Sequence, residues 1–368
     1  MTKRIMVIFG TRPECIKLAP VVAALHARPT DFEVTVCSTG QHDEMLSQAM
    51  ACFKIRPDID LSVMRPNQTL SQLTAALMAT LPSAIGQVRP DWVVVQGDTA
   101  TTFTAALAAF YEHIPIAHIE AGLRSGDNFN PFPEEINRRL VSSLSHLHFA
   151  PTLRAVEALR REGVPNEHIH LTGNTIVDAL FMVRAESDAQ GGVSSIVRGF
   201  AANKVVLVTC HRREALGKDL AAICRAIRRL AVRYPDNLFV FPLHLNPVVQ
   251  TVPRNLLGDI PNVRLMGPLP YREVIFLLSQ ARLVLSDSGG LQEEAPSFGV
   301  SVLVLRRKTE RPEAIEVGFA ELIGVDEEAI VKRASERIEA EETMRCGPNP
   351  YGDGRAAQRI ADILARVS

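Results

Sequence analysis

Short apolar runs alternate with amphipathic helical stretches from one end of the chain to the other, and that alternation limits the fold more than any single motif does. The runs expected as strands are Ile5 to Phe9, Glu33 to Ser38, Trp92 to Gln96, Ile116 to Glu120, His146 to Ala150, Val205 to Thr209, Leu238 to Pro242, Val263 to Met266, Leu283 to Asp287 and Val302 to Leu305. Strands covered on both faces read as continuous apolar runs, as Trp92 to Val95 and Val302 to Leu305 do, and strands that alternate with helices build parallel sheets. The expected class is α/β, with two Rossmann-like domains of parallel sheets flanked by helices. A length of 368 residues suits two domains, each with its own core. Ser, Gly and charge break the pattern from Ala185 to Lys204, but Leu171-Thr172-Gly173-Asn174 already reads as a strand end and turn. The expected division is therefore 1–170 and 171–355, followed by a helix at 356–368 that could pack back across either domain, the N-terminal one included.

A net charge of −1 gives no electrostatic reason to expect nucleic acid or an anionic membrane as a partner. Six cysteines stand at 15, 37, 52, 210, 224 and 346 with no C-x-x-C pair, so reduced structural thiols are expected rather than zinc or disulfides. Met1-Thr2-Lys3-Arg4 carries the charge of a signal peptide, but the apolar run after it is too short, and Ile5 to Phe9 reads as a buried first strand. No run approaches the roughly 20 apolar residues that span a bilayer, and a cytoplasmic location is expected.

Chemistry-bearing residues cluster where strands end. Ser286-Asp287-Ser288-Gly289-Gly290-Leu291-Gln292-Glu293-Glu294 follows an apolar run and opens a helix-like segment. Small residues at Ser288, Gly289 and Gly290 let backbone N–H groups converge on a phosphate, and Glu294, one turn on, can chelate a ribose diol. A tight turn with a capping serine is the plainer alternative. After the first strand, Thr11-Arg12-Pro13-Glu14 has the form of a capping box, which sets Arg12 and Lys17 at the sheet edge where α/β proteins bind ligands. The pair can neutralise a diphosphate, or be a surface arginine and lysine.

Gln96-Gly97-Asp98-Thr99 repeats the arrangement, with Asp98 as acid or as simple N-cap. Glu120 ends the next strand. Glu134 and Glu135 follow two prolines at a helix start, where compensation of the helix dipole would also place acids. In the second half His211 and His244 close strands and can meet phosphate or serve as acid, whereas His118, His146 and His148 lie in apolar strands and read as core. No metal-ligand spacing emerges.

Taken in order, Gly10 to Glu14, Gly97-Asp98-Thr99, His118 to Arg124, Pro133-Glu134-Glu135, Gly173-Asn174-Thr175, His211 to Glu214, His244 to Pro247, Ser286 to Pro296, Glu310 to Glu313 and Asn349 to Gly352 resemble the non-hydrolysing bacterial UDP-N-acetylglucosamine 2-epimerases over nearly the whole chain. The resemblance implies the GT-B fold of many nucleotide-sugar glycosyltransferases, two Rossmann-like domains facing a central cleft. It implies interconversion of UDP-N-acetylglucosamine and UDP-N-acetylmannosamine by elimination of UDP to 2-acetamidoglucal and re-addition, supplying precursors of bacterial surface polysaccharides. Asp98, Glu120, Glu134 and His211 match the catalytic positions. Arg12, Lys17, His244, Ser288, Gly289, Gly290 and Glu294 match substrate contacts, and Gln41, His42, Glu135 and Arg212 a second, activating UDP-N-acetylglucosamine. A homodimer is implied and no cofactor is required, which agrees with the lack of G-x-G-x-x-G after Phe9. Two positions depart from the pattern: Gln96 stands where histidine is common, and Val274 where an aromatic side chain commonly covers the uracil.

Three other readings fit parts of the sequence. A glycosyltransferase would use the same UDP turn but has less need of several acids in the N-terminal half. A non-catalytic UDP-sugar sensor has no need of them either. An epimerase of a modified UDP-sugar differs only in the substituents it accepts.

Overall fold

The computed structural model describes residues 2–40, 44–65, 67–190, 197, 200, 204–210, 217–243, 247–340 and 347–367. The chain divides into two compact units, one of Met1–Met182 with Tyr351–Ser368 and one of Val183–Pro350.

Among the described residues, the first unit holds a seven-stranded sheet of β1 (Lys3–Phe9), β2 (Phe32–Ser38), β3 (Ile59–Asp60), β4 (Trp92–Gln96), β5 (Ile116–Ile119), β6 (Leu147–Ala150) and β7 (Ile169–Leu171). All pair in parallel, in the order β3-β2-β1-β4-β5-β6-β7. The order reverses between β1 and β4, which makes their carboxyl ends the crevice where an open α/β sheet takes ligands. Its helices are α1 (Arg12–His26), α2 (Glu44–Cys52), α3 (Leu70–Val88), α4 (Ala100–Tyr111), α5 (Glu134–Leu144), α6 (Leu153–Arg161) and the first part of α7 (Thr175–Gln190).

Sequence explains the packing. All five residues of β4 are buried, as a central strand with helices on both faces requires. Ala105, Ala106, Ala108 and Ala109 let α4 lie close to the sheet, and Leu77, Leu81 and Ile85 of α3 fill the space beside them. Truncating Leu77 or Leu81 to alanine would cost about 2–5 kcal/mol. Thr69 caps α3 by accepting from Gln72 N–H at 3.2 Å while the Gln72 side chain accepts from Thr69 N–H at 2.9 Å, a closed capping box.

The second unit repeats the topology. Among the described residues β8 (Val205–Thr209), β9 (Leu238–Pro242), β10 (Val263–Met266), β11 (Ala281–Ser286), β12 (Ser301–Val304) and β13 (Ala320–Leu322) form a parallel sheet in the order β10-β9-β8-β11-β12-β13. With them run α8 (Lys218–Arg233), α9 (Pro247–Leu257), α10 (Tyr271–Gln280), α11 (Gly289–Glu294), α12 (Glu313–Glu316) and α13 (Glu327–Glu339). Ile223, Ile227 and Leu230 of α8 pack with Phe239, Phe241, Leu283 and Leu285 into one core.

The expected boundaries at 170 and 355 move to 182 and 350. Residues 169–171 form β7, which pairs with β6 and so closes the first sheet rather than opening the second. The Asp178 carboxylate accepts from the N–H groups of Ala356 and Ala357 at 3.2 and 2.9 Å, capping α14 (Ala356–Arg366) and holding it in the first unit. Lys3 Nζ donates to the carbonyl oxygens of Leu364, Ala365 and Val367 at the other end of that helix. Other strand limits shift by a residue or two: β5 stops at Ile119, β6 starts at Leu147, and β11 runs from Ala281 to Ser286.

Candidate active site

The loops at the carboxyl edge of the first sheet are braced from within. A β-carbon on Gly10 would meet the hydroxyls of Thr39 and Thr101 at 2.4 Å, so the loop after β1 can pass there only as glycine. Glu14, buried in the first turn of α1, accepts from Gly10 N–H at 3.0 Å and Thr11 N–H at 2.7 Å. Its other oxygen accepts from the hydroxyls of Thr99 at 2.6 Å and Thr102 at 2.8 Å. Burial pushes the Glu14 acid up, and these hydrogen bonds oppose the shift. Glu14 therefore ties the β1 loop to the β4 loop, and the capping box expected at Thr11 to Glu14 is present, with the Glu14 carboxylate accepting from Thr11 N–H. Arg12 opens α1, half-buried.

Glu120 sits just beyond β5 with φ at +64°, a left-handed conformation that few residues other than glycine adopt. That backbone ends the strand and turns the carboxylate back over the sheet edge, where it is 8% exposed. Lys17 Nζ donates to Oε1 at 2.5 Å and Asn174 Nδ2 to the same oxygen at 3.3 Å, while Gln96 Nε2 donates to Oε2. Lys17, expected at a diphosphate, is thus brought to Glu120.

Asp98 follows Gly97 in the loop after β4. Thr99, not Asp98, is the N-cap of α4, accepting from Thr102 N–H at 3.1 Å. The Asp98 carboxylate receives Arg138 Nη2 at 2.5 Å, and its carbonyl oxygen receives Asn137 Nδ2 at 2.8 Å. On the preceding residue, His118 Nε2 lies 2.7 Å from the Gly97 carbonyl oxygen. His118 is fully buried and its pKa is pushed down to about 4 by desolvation, so it is neutral and Nε2–H donates to that carbonyl. Asn137 and Arg138 belong to α5, and Glu134 is the first residue of that helix, one turn ahead of Arg138 and half-buried. The bonds from Glu120 to Gln96 at the end of β4, and from Asp98 two residues on to Asn137 and Arg138, link both acids to α5, the helix that Glu134 opens.

Glu135 is fully buried. It accepts from Ser125 N–H at 2.8 Å, Gly126 N–H at 3.4 Å, Arg139 Nη2 at 3.0 Å and Arg138 Nη1 at 3.4 Å. Its carboxylate anchors the 125–126 loop.

In the second unit Ser286 Oγ lies 2.6 Å from Thr209 Oγ1 and accepts from Ser288 N–H at 2.8 Å, which sets the turn after β11. Gly289 and Gly290 open α11, a helix of six residues that continues into a 3₁₀ turn. A β-carbon on Gly289 would stand 2.5 Å from Arg311 Nη1, because the Arg311 guanidinium lies over that glycine. Arg311 Nε donates to Glu293 at 2.6 Å and its Nη1 to Glu310. Glu294 is buried and accepts from the Tyr271 hydroxyl at 3.0 Å.

His211, Arg212, His244, Gln41 and His42 lie outside the described residues. His118 and His148 are buried as expected, but His146 is exposed: it precedes β6 and meets Trp92 edge-on at 6.3 Å. Sequence reasoning missed Arg138 and Tyr271 as site residues, and placed Gln96, Asn174 and Arg311 in motifs without seeing what they touch. Gln96 carried a signal, a polar side chain closing an otherwise apolar strand.

A family model described as UDP-N-acetylglucosamine 2-epimerase matches residues 23–365. The probable UDP-N-acetylglucosamine 2-epimerase of Ralstonia nicotianae is 46% identical over 370 residues, covering 98% of each chain. The UDP-N-acetylglucosamine 2-epimerase of Escherichia coli K12 is 44% identical over 372 residues, again with 98% of both covered. The crystal structure of the Neisseria meningitidis UDP-GlcNAc 2-epimerase bound to UDP-GlcNAc superposes with a TM-score of 0.93 at 42% identity, covering 99% of this chain and all of that one. A family match over nearly the full length, relatives above two fifths identical and a shared GT-B-like fold agree with the motifs, and the chain belongs to the UDP-N-acetylglucosamine 2-epimerase family.

Proposed function

We propose that this chain is an isomerase that inverts C2 of UDP-N-acetylglucosamine to give UDP-N-acetylmannosamine, reversibly, by elimination and re-addition of UDP. C2 has no adjacent carbonyl to acidify its proton, so direct deprotonation is a poor route. When the C1–O bond to UDP breaks, developing positive charge at C1 acidifies C2–H. A base takes the proton, C1=C2 forms, and UDP and 2-acetamidoglucal are held together until a proton returns to the opposite face and UDP adds back. The cycle is redox-neutral and needs no nicotinamide.

The observation that carries this reading is the group of acids on the first unit, each in a defined hydrogen-bonded setting: Glu120 under Lys17, Gln96 and Asn174, and Asp98 under Arg138, with Glu134 one turn from Arg138. Two-sided proton transfer needs more than one acid, each fixed by its own partners. In the second unit the Ser288-Gly289-Gly290 turn would receive the diphosphate, with His211 and His244 in supporting roles, and Glu294, steadied by Tyr271, would hold the ribose; in the first unit Arg12 is the cation offered to phosphate. Lys17 serves Glu120 in this scheme.

A homodimer and activation by a second UDP-N-acetylglucosamine belong to the same reading. Because the Glu135 carboxylate is already occupied by internal donors, its part in activation would be indirect, through the 125–126 loop. Among the described residues, no helix is long and apolar enough to cross a membrane.

The test is proton NMR of the protein with UDP-N-acetylglucosamine alone in D₂O. Loss of the C2–H signal with growth of a UDP-linked manno species is the expected result. Free N-acetylmannosamine and UDP would indicate a hydrolysing enzyme, and no exchange at concentrations where binding is demonstrated would overturn the proposal.

A further inference from the structure

A carboxylate offers about four acceptor positions, two on each oxygen. On Glu120, Lys17 and Asn174 fill both positions of Oε1, at 2.5 and 3.3 Å. Among the described residues Oε2 receives Gln96 Nε2 alone, and one position on it is left. That oxygen faces Gly97, since a β-carbon built there would lie 4.0 Å from Oε2. The lack of a side chain at Gly97 keeps this approach open. The backbone on both sides is pinned: Gly97 N–H donates to the Ile119 carbonyl at 3.0 Å, and Glu120 itself is held at φ +64°.

We propose that Oε2 is the oxygen of Glu120 that exchanges a proton with the substrate, and that Gln96 is the positioning residue that aims it. This rests on the epimerase reading and adds to it which oxygen reacts and what directs that oxygen. Placing the proton on Oε1 would mean breaking the Lys17 and Asn174 bonds, whereas a proton on Oε2 leaves the ion pair in place. In the elimination direction the C2–H bond breaks, the proton goes to the open position on Oε2, and its electron pair forms C1=C2 as UDP leaves with the C1–O pair. In the return direction Oε2–H gives that proton to C2 and UDP adds at C1. Gln96 suits the task because it closes β4, is almost wholly buried, and donates through an amide that neither gains nor loses a proton during turnover.

The test compares full-length wild type with Gln96→Met, which keeps the volume and removes the donor, and Gln96→His, which restores an N–H. UDP-N-acetylglucosamine in D₂O is the substrate. The Met variant should lose kcat for C2–H exchange and epimerisation together, on the order of 10²-fold, with KM within about threefold of wild type. The His variant should recover most of that loss, a response that simple destabilisation would not produce. Gln96→Asn, which keeps the amide but shortens its reach, should fall as the Met variant does and serves if Met fails to fold. A Met or Asn variant with wild-type kcat overturns the inference, as does a loss carried by KM alone or a folded His variant that recovers nothing. Wild type that binds UDP-N-acetylglucosamine without C2–H exchange overturns the epimerase reading and this inference with it, and is recognised before any variant is made.

Discussion

The two units share one strand order and use its carboxyl edge differently. In the first, acids at the edge are held by partners far away in sequence: Glu120 by Lys17, Gln96 and Asn174, and Asp98 by Arg138. In the second, glycines open the turn after β11, and the acids behind it bond inward, Glu293 to Arg311 and Glu294 to Tyr271. Under the proposed function the first edge moves protons and the second receives an anion. Topology selects where a site can lie, and side-chain wiring selects what it does there.

Glu120→Gln breaks the comparison most severely. An amide cannot accept from the same three donors or carry the proton, so epimerisation should fall on the order of 10³-fold. UDP affinity, measured by calorimetry, should change little, because the second unit is untouched.

Acid should distinguish the units next. His118 and His148 pair in register across β5 and β6, and desolvation pushes their pKa values down to about 4 and about 3. Both lie below the ordinary 6.5, so the unfolded chain binds these protons first. Stability is therefore complete above about pH 6.5 and should fall as pH drops towards 4, by up to about 1.4 kcal/mol per pH unit for each histidine. The chain's one tryptophan, Trp92, sits in β4. Denaturant titrations followed by its emission should show a midpoint that falls from pH 7 to pH 5, and His148→Phe should flatten that dependence.

The second edge is sharpened by gentler changes. Gly289→Ala would push against the Arg311 guanidinium at 2.5 Å and loosen its bond to Glu293. Overpacking of this kind costs about 1–3 kcal/mol. UDP binding should weaken about tenfold, or about 1.4 kcal/mol, with C2–H exchange at saturating substrate retained. Tyr271→Phe removes one donor to buried Glu294 and should cost about 1 kcal/mol of stability. UDP affinity should drop a few-fold, and an unchanged affinity would argue against Glu294 as the ribose ligand.

Much of this was legible in the sequence, for reasons that also mark where legibility stops. Central strands such as β4 and β8 are apolar on both faces and announce themselves. The two-residue β3 and the edge strand β13 bury too little to leave a pattern, and β7 shows only its end, at Leu171. The acids were visible because they stand where strands end. The positive φ of Glu120 was not, since nothing in Ile119-Glu120-Ala121 demands it. Lys17 and Glu120 are 103 positions apart, and a contact across that span is a product of the sheet order. The same holds for Arg311 over Gly289, which the sequence shows only as part of the Glu310 to Glu313 motif.

The Asp178 cap on α14 bears on the order in which the protein is made. Residues 351–368 belong to the unit that begins at residue 1, and they leave the ribosome after residues 183–350. Units that fold during synthesis usually do so from the N-terminus, but here the first unit waits for its final helix while the second, 183–350, has already emerged entire. The nascent chain therefore holds a sheet with the acceptors of Asp178 unfilled and the face of α1 that receives α14 uncovered, and the unit that starts to appear before the other is completed after it.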